Sequence, residues 1–254
     1  VMKMRFLAID GFNLIRRIFE ARKVTSQEDM AAVIDASRSS VIRALGTHKP
    51  SHAAIVLEHH DRTWRHLLYP QYKANRSETP ALLLSELPRF EAAFLEAGVL
   101  SCGVASYEAD DVIATMVTAV TRHDGNAIIL STDKIYLQLV GPRITVYDHF
   151  AEQTFDQAYI EKRYGIRLGQ YVDYLSLVGD KSNNIKGVPG VGPKSAIEIF
   201  GKFEGLDEIL SSVEDSSIVN KVQGSEVEAR RSRQLVTLKT NVELGLNLKS
   251  FRLP

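Results

Sequence analysis

The sequence predicts an α/β domain with a largely parallel sheet over residues 1–160, followed by an all-helical region over residues 161–254. Three observations predict it. Short apolar runs rich in β-branched residues recur in the first part, stretches with helical periodicity lie between them, and after Asp148 the β-branched runs stop. Strands that alternate with helices are joined by crossovers, and crossovers give parallel pairing. A chain of 254 residues, 44% hydrophobic and 24% charged, suffices for one large domain or a domain with an appendage, and it excludes a disordered or collagen-like chain.

The strands are expected at 6–9, 53–57, 99–104, 127–130 and 144–147, and helices at 30–45, 82–97 and 111–121 among them. Beyond residue 148, short helical segments at 158–164, 169–177, 194–200, 206–211 and 226–240 are separated by glycine turns. The polar, serine-containing stretch 211–224 reads as a loop. Neither a long repeat nor a low-complexity tract interrupts the chain.

Lys plus Arg and Asp plus Glu each number 31, so net charge offers no argument for nucleic acid or membrane. Charge is nevertheless segregated. Residues 43–76 carry a balance of +4, residues 78–111 a balance of −6, and residues 181–202 a balance of +3. Basic blocks around an acidic one suit a polyanion bound beside a cation pocket, although charge runs also describe ordinary solvated faces. The single cysteine, Cys102, excludes an internal disulfide framework, fits a reducing compartment and reads as a small buried strand residue. The apolar stretch before Asp10 is shorter than a signal peptide needs, and no run approaches the ~20 apolar residues of a spanning helix, so a cytoplasmic protein without a membrane partner is expected.

In open α/β sheets the ligand crevice lies beyond the carboxyl ends of the strands. Asp10, Glu58 and Asp133 sit at such ends, and Glu108, Asp110 and Asp111 open a helix for which Ser106 is a candidate cap. Acids in a first helical turn have an ordinary explanation in the helix dipole. Six carboxylates from four segments at one rim repel one another unless a hard divalent cation neutralises them, and their oxygen donors suit Mg²⁺ or Mn²⁺. Metal-assisted phosphodiester hydrolysis is the chemistry such a group supports. Five histidines fall between His48 and His66, but Pro50 separates His48 from His52 and no cysteine or HExxH joins them, so they read as surface or phosphate-proximal residues.

Residues 185–195 read IKGVPGVGPKS and precede an apolar helix. Gly190 and Gly192 permit tight turns, Pro193 suits the first helical position, and Lys194 and Ser195 join the free N–H groups of that helix start. Such a turn binds phosphate without reading base sequence. A P-loop reading fails because Pro193 interrupts the glycine–lysine step and no strand precedes it.

These residues resemble the flap endonucleases, the 5′-nuclease family, most closely the short bacterial stand-alone members of the exonuclease nine type. The resemblance is carried by LAIDGFNLIRR at 7–17, TWRHLLYPQYKANR at 63–76, YEADDVIATM at 107–116, STDKIYLQLV at 131–140 and VGDKSNNIKGVPGVGPKSA at 178–196. It implies a Rossmann-like, PIN-like nuclease domain with a helical arch at roughly 70–95, followed by a helix-three-turn-helix DNA-binding region. By the family pattern Asp10, Glu58, Glu108, Asp110, Asp111 and Asp133 would build the first metal site. Lys73 and Arg76 would engage the scissile phosphate or the 5′ strand, while Tyr72 beside them could stack on a base or pack. Main-chain carbonyls of Leu177, Val178, Lys186, Val188 and Val191 would hold K⁺, with Gly190, Val191, Gly192, Pro193, Lys194 and Ser195 facing DNA.

Two departures weaken the second metal site. Ile135 and Asn183 stand where the family has carboxylates, which leaves Asp180 nearly alone. The expectation is therefore one firm Mg²⁺ site, with Mn²⁺ as a substitute, and a second that is weak or absent. The implied protein is a monomeric, structure-selective 5′ flap endonuclease acting on DNA flaps or junctions of replication and repair, in company with that machinery. The rival readings are a junction-binding DNA protein whose nuclease activity has decayed, favoured by Ile135 and Asn183, and an RNA-directed PIN-type nuclease, disfavoured by the glycine hairpin.

Overall fold

The computed structural model describes residues 3–254. In chain order its elements are β1 (Arg5–Asp10), α1 (Gly11–Arg22), α2 (Gln27–His48), β2 (His52–Val56), α3 (Trp64–Leu68), α4 (Ala81–Ser85), α5 (Leu87–Glu96), β3 (Leu100–Cys102), α6 (Ala109–Arg122), β4 (Asn126–Leu130), β5 (Ile144–Asp148) and β6 (Gln153–Phe155). The helices α7 (Gln157–Tyr164), α8 (Tyr171–Val178), α9 (Pro193–Phe200), α10 (Leu206–Ser211), α11 (Ser217–Gly224) and α12 (Glu226–Val236) follow.

The six strands form one sheet in the order β3-β2-β1-β4-β5-β6. The four pairings of β1 with β2, β1 with β4, β2 with β3 and β4 with β5 are all parallel. This is the doubly wound order, and the order of strand addition reverses between β1 and β4, where the crevice for a ligand opens. The expected α/β architecture and the helical region after it are both present. Strand β1 is buried from Phe6 to Asp10 because helices cover both sheet faces, which is why it reads as a continuous apolar run. One core layer joins Leu7, Ile9, Leu14, Ile15, Met30, Val33, Phe90 and Phe94.

The chain divides into two compact units. The sheet unit comprises residues 1–61, 78–154 and 239–254, and the helical unit residues 62–77 and 155–238. The returning tail is fixed to the sheet unit by Phe251, which packs edge-on to Phe6, and by bridging of Arg252 to His52. Asp111 Oδ1 accepts the Lys239 N–H at 2.8 Å at the point of return. Segment 62–77 joins the helical unit through Arg65, which is 2% exposed and donates to the carbonyls of Leu235 at 2.7 Å and Thr237 at 3.3 Å. These are carbonyls at the end of α12 that lack helical partners, so a buried guanidinium finds both its hydrogen bonds and the favourable end of the helix dipole there.

The span 70–95, where an arch is expected, belongs in part to each unit. Residues 70–77 belong to the helical unit, while α5 buries Phe90, Ala93 and Phe94 in the core of the sheet unit. The apolar spacing that marks 82–97 as helical is realised as two helices that meet at Glu86, and their Leu84, Leu87 and Glu91 line the groove that also holds Glu58. The stretch 211–224 contains α11 instead of a loop throughout, because Ser216 caps the Val219 N–H while Val219 and Val222 are buried. Helix α12 ends at Val236 and not at 240, since the chain there turns to meet Arg65.

Candidate active site and nucleic-acid interface

Within the sheet unit the carboxyl ends of β1 and β4 bring the first acids together. Asp10 ends β1 and caps α1, with Oδ1 accepting from the Asn13 N–H at 3.4 Å. Its Oδ2 meets the Ser131 hydroxyl and the Tyr136 hydroxyl, each at 3.0 Å. Asn13 also clasps Thr132, accepting from its N–H at 3.0 Å and donating to its Oγ1 at 2.8 Å, so α1 and the exit of β4 are held in register. Asp133, just beyond, accepts the Ile135 N–H at 2.9 Å.

Asp10 is only 6% exposed. Burial first, then the charges of Glu58 and Asp133, raise its pKa from 3.8 to about 7. The Ser131 and Asn13 hydrogen bonds oppose that rise without cancelling it. The Tyr136 hydroxyl also reaches Asp110 Oδ1 at 2.8 Å. One phenolic proton cannot serve two carboxylates at once, and a proton on Asp10 resolves the conflict. Tyr136 itself is fully buried, and burial together with Asp10 and Asp110 pushes its pKa far up, so it stays neutral.

The acids at the start of α6 have different surroundings. Glu108 is the buried N-cap, Asp110 is half-buried and faces Tyr136, and Asp111 is fully buried with an oxygen on the Lys239 N–H. Consecutive helical residues point about 100° apart, which is why Asp110 joins Asp10 and its neighbour instead holds the returning tail. Ser106, expected as the cap, sits at φ 66° and donates its N–H to Asp61, which leaves Glu108 as the capping residue. Glu58, half-buried, lines an open groove of about 490 Å³ with His59, His60, Glu91 and Cys102. Cys102 is a strand residue whose thiol burial pushes its pKa up to about 12, which removes it as a nucleophile.

Among the described residues no three Asp, Glu, His or Cys side chains converge closely enough to enclose a metal ion. The donor set is nevertheless all hard oxygen, and its central carboxylate is buried amid like charge. Such a set fits an ion held by one or two carboxylates and several waters, the usual way Mg²⁺ is bound.

In the helical unit the remaining predicted residues form a second cluster. Arg76 donates from Nε to the Ser182 carbonyl at 2.9 Å and from Nη2 to Asn183 Oδ1 at 2.7 Å. Asn183 Nδ2 in turn donates to Asp180 Oδ2 at 2.6 Å, while Asp180 Oδ1 accepts from the Ser182 N–H and hydroxyl. The Lys73 N–H bonds the Asn183 carbonyl at 2.9 Å, and Asn184 Nδ2 bonds the Gln71 carbonyl at 2.6 Å. Segment 71–76 is thus laced to the 180–184 turn. Tyr72 is 4% exposed against His66, which excludes it as an open stacking platform.

The glycine hairpin is as tight as its sequence requires. A Cβ on Gly187 would stand 2.1 Å from the Leu177 carbonyl oxygen, and Gly179 and Gly190 adopt φ of 79° and 75°. Carbonyls of Leu177, Lys186 and Val188 each accept one hydrogen bond, from Val188 N–H, Ser232 Oγ and Val191 N–H respectively. Each keeps a second lone pair. Gly192 caps α9, Pro193 opens it, and Pro193 and Lys194 are exposed with Ser195 half-buried, whereas the Val191 side chain is buried and offers only backbone. Lys221 of α11 lies beside the hairpin, its Nζ 3.4 Å from where a Gly190 Cβ would be.

Sequence reasoning missed Tyr136, Ser131, Asn13 and Lys221. The first three lie within three positions of acids it identified, but hydroxyl and amide partners of a carboxylate have no spacing rule. Lys221 is 31 residues from Gly190 and only folding brings it near.

Residues 5–165 match the 5′-3′ exonuclease N-terminal resolvase-like domain, and residues 166–254 match the 5′-3′ exonuclease C-terminal SAM fold. The chain is 39% identical over 251 residues to the Flap endonuclease Xni of Shewanella sediminis, covering 98% of this chain and 97% of that protein. It is 37% identical over 254 residues to the Flap endonuclease Xni of Vibrio parahaemolyticus, covering 99% and 97%. Among solved structures it is similar to T5 5′-exonuclease with bound zinc, with a TM-score of 0.74 at 19% identity over 93% of this chain and 90% of that one. The Rad2 catalytic core in complex with DNA substrate gives 0.56 at 16% identity over 98% and 87%. At these identities the structural likeness speaks for the fold.

The raised pKa of Asp10 sets a pH dependence. A carboxyl whose folded pKa lies above its unfolded value binds its proton more tightly when folded, so it withdraws stability as pH rises from about 4 to about 7. In metal-free buffer, Asp10→Asn is expected to gain stability relative to the parent across that window and to hold the gain above it. Urea midpoints measured against pH check this, and a constant difference would remove the assigned cause.

Proposed function

The chain belongs to the 5′-3′ exonuclease family of flap endonucleases, and from that membership we propose which residues carry out its structure-specific cleavage of 5′ flaps. It is a nuclease, hydrolysing phosphodiesters. The observation that carries the site assignment is Asp10, a buried carboxylate made costly to ionise by Glu58 and Asp133. Divalent charge is what such a group lacks.

Asp10, Glu58, Asp110 and Asp133 would hold Mg²⁺, or Mn²⁺ with the same preference for oxygen, directly or through water. The bound ion would supply charge stabilisation for the phosphoryl oxygens and a water of lowered pKa. Ser131 and Tyr136 orient Asp10, Tyr136 sets Asp110 against it, and Asn13 fixes the loop that presents Asp133. Glu108 and Asp111 support this group from the start of α6, Asp111 by anchoring the returning tail.

The second ion expected of the family has little to bind here. Both oxygens of Asp180 and the oxygen of Asn183 already accept hydrogen bonds, and Ile135 is buried and offers no donor. Arg76, with Lys73 beside it, provides fixed positive charge on the same turn for a phosphate of the flap strand. The Gly190–Ser195 hairpin takes a phosphate of the duplex, with α9 N–H groups, Lys194 and Ser195 as donors. The carbonyls of Leu177, Val178, Lys186, Val188 and Val191 would hold K⁺, a role supported by the close approach of Gly187 to the backbone of Leu177 and Val178. The substrates are the flaps and junctions of replication and repair, cut by a monomer. Retention of the acid set weighs against the decayed-nuclease reading.

Single-turnover cleavage of an end-labelled 5′-flap duplex tests the assignment. Asp110→Ala should lose more than the roughly 100-fold that removal of an outer partner costs, with duplex affinity retained, and an active variant would refute the site. Tyr136→Phe should weaken Mn²⁺ binding, read by electron paramagnetic resonance, by about 10–100-fold while the protein remains folded. The same titration should give one tight ion per chain. A second tight ion would contradict the reading of Asp180.

A further inference from the structure

Two grooves of about 470 Å³ each lie side by side over α1 and α2 and share Arg22, Ala36 and Ser40. Arg17 and Phe150 line the first, and Ser39 and Arg43 the second. Phe150 follows the carboxyl end of β5, at the same end of the parallel strands as Asp10, and it is 37% exposed with the Arg17 guanidinium 5.4 Å from its ring centroid. Arg43 Nη2 donates to His149 Nε2 at 2.7 Å, a buried ring kept neutral by burial and by Arg43 itself.

The charge balance of this face is one-sided. Among the described residues Arg17, Arg22 and Arg43 make no ion pair, while the two acids in the grooves are already engaged: Glu20 with Arg16 at 3.0 Å and Asp35 with Arg38 at 2.7 Å. Three uncompensated guanidinium groups in a concave surface make a polyanion the complementary occupant. The exposed ring narrows the choice. Duplex bases stack on one another and present a convex backbone, whereas an unpaired base can lie on an aromatic ring with its phosphates on neighbouring cations. Arg17 stands seven residues after Asp10 on α1, about 10 Å along the helix, so the grooves begin where a strand leaving the carboxylates would arrive.

We propose that the α1–α2 face of the sheet unit, through Arg17, Arg22, Arg43 and Phe150, binds the single-stranded arm of a 5′-flap substrate. The proposal rests on the flap-nuclease reading for the identity of that arm. It makes flap length, and not only the junction, a determinant of affinity.

The test compares the full chain with Arg17→Ala/Arg22→Ala/Arg43→Ala on two labelled duplexes, one carrying a flap of about ten thymidines and one a single-nucleotide flap, by fluorescence anisotropy in EDTA. The triple variant should bind the long flap roughly tenfold more weakly, with a log–log salt slope shallower by about 2, the sum of three single-strand contacts. Binding and single-turnover cleavage of the short-flap duplex should match the parent. Phe150→Ala, which removes an exposed ring and no charge, should weaken long-flap binding with the slope unchanged. Unaltered long-flap affinity would overturn the proposal, and equal losses on both substrates would do so by assigning the arginines to duplex. Because binding is read without metal, absence of cleavage by the parent would count against the flap-nuclease reading alone.

Discussion

A buried carboxylate at the end of the central strand governs the catalytic half of this molecule. Asp10 must end β1 to reach the crevice where the strand order reverses, and that position is covered by helices and flanked by Glu58 and Asp133. Desolvation and like charge together make its ionised form expensive, so the surroundings have to neutralise it with a proton, hydrogen bonds or a cation. Ser131 and Tyr136 supply the hydrogen bonds, and the second carboxylate on Tyr136 shows that they are insufficient without a further positive partner. A site built this way holds its ligands in place while leaving them poorly satisfied, which is the condition for binding a divalent ion.

The helical unit resolves the opposite problem. The family position that would carry a carboxylate carries Asn183, whose amide donates to Asp180 and accepts from Arg76. A carboxylate there could accept from Arg76 but could not donate to Asp180, and the two acids would repel unless a cation lay between them. The neutral amide therefore replaces an ion-dependent arrangement with a self-contained one. The same turn ties segment 71–76 to the unit, which explains why a stretch that precedes α4 in sequence folds with α7–α12.

Burial of Arg65 illustrates how long-range structure depends on such single bonds. Its guanidinium satisfies carbonyls at the end of α12, and that helix end is where the chain turns back toward the sheet unit. Removing the charge would leave both the helix end and the turn without partners. The Asp111 bond to Lys239 plays the matching role inside the sheet unit.

Much of this was legible in the sequence because it is written in local chemistry. Alternating β-branched and helical runs specified the parallel sheet, the acids at strand ends lay where a doubly wound sheet places ligands, and GVPGVGPKS specified a tight turn before a helix. Ile135 and Asn183 raised the expectation of a reduced second metal site from the sequence alone. Tertiary structure alone decided what each face of α5 meets, Phe90, Ala93 and Phe94 in the core and Leu87 and Glu91 in the groove beside Glu58, since the apolar period does not say what packs against it. It alone separated Asp110 from Asp111, because adjacent acids in a motif diverge by about 100° on a helix. It alone placed Tyr136 between two carboxylates, Lys221 beside Gly190, and residues 62–77 in the helical unit. These depend on contacts between residues far apart in the chain, and such contacts follow from how elements pack and not from the pattern within any one of them.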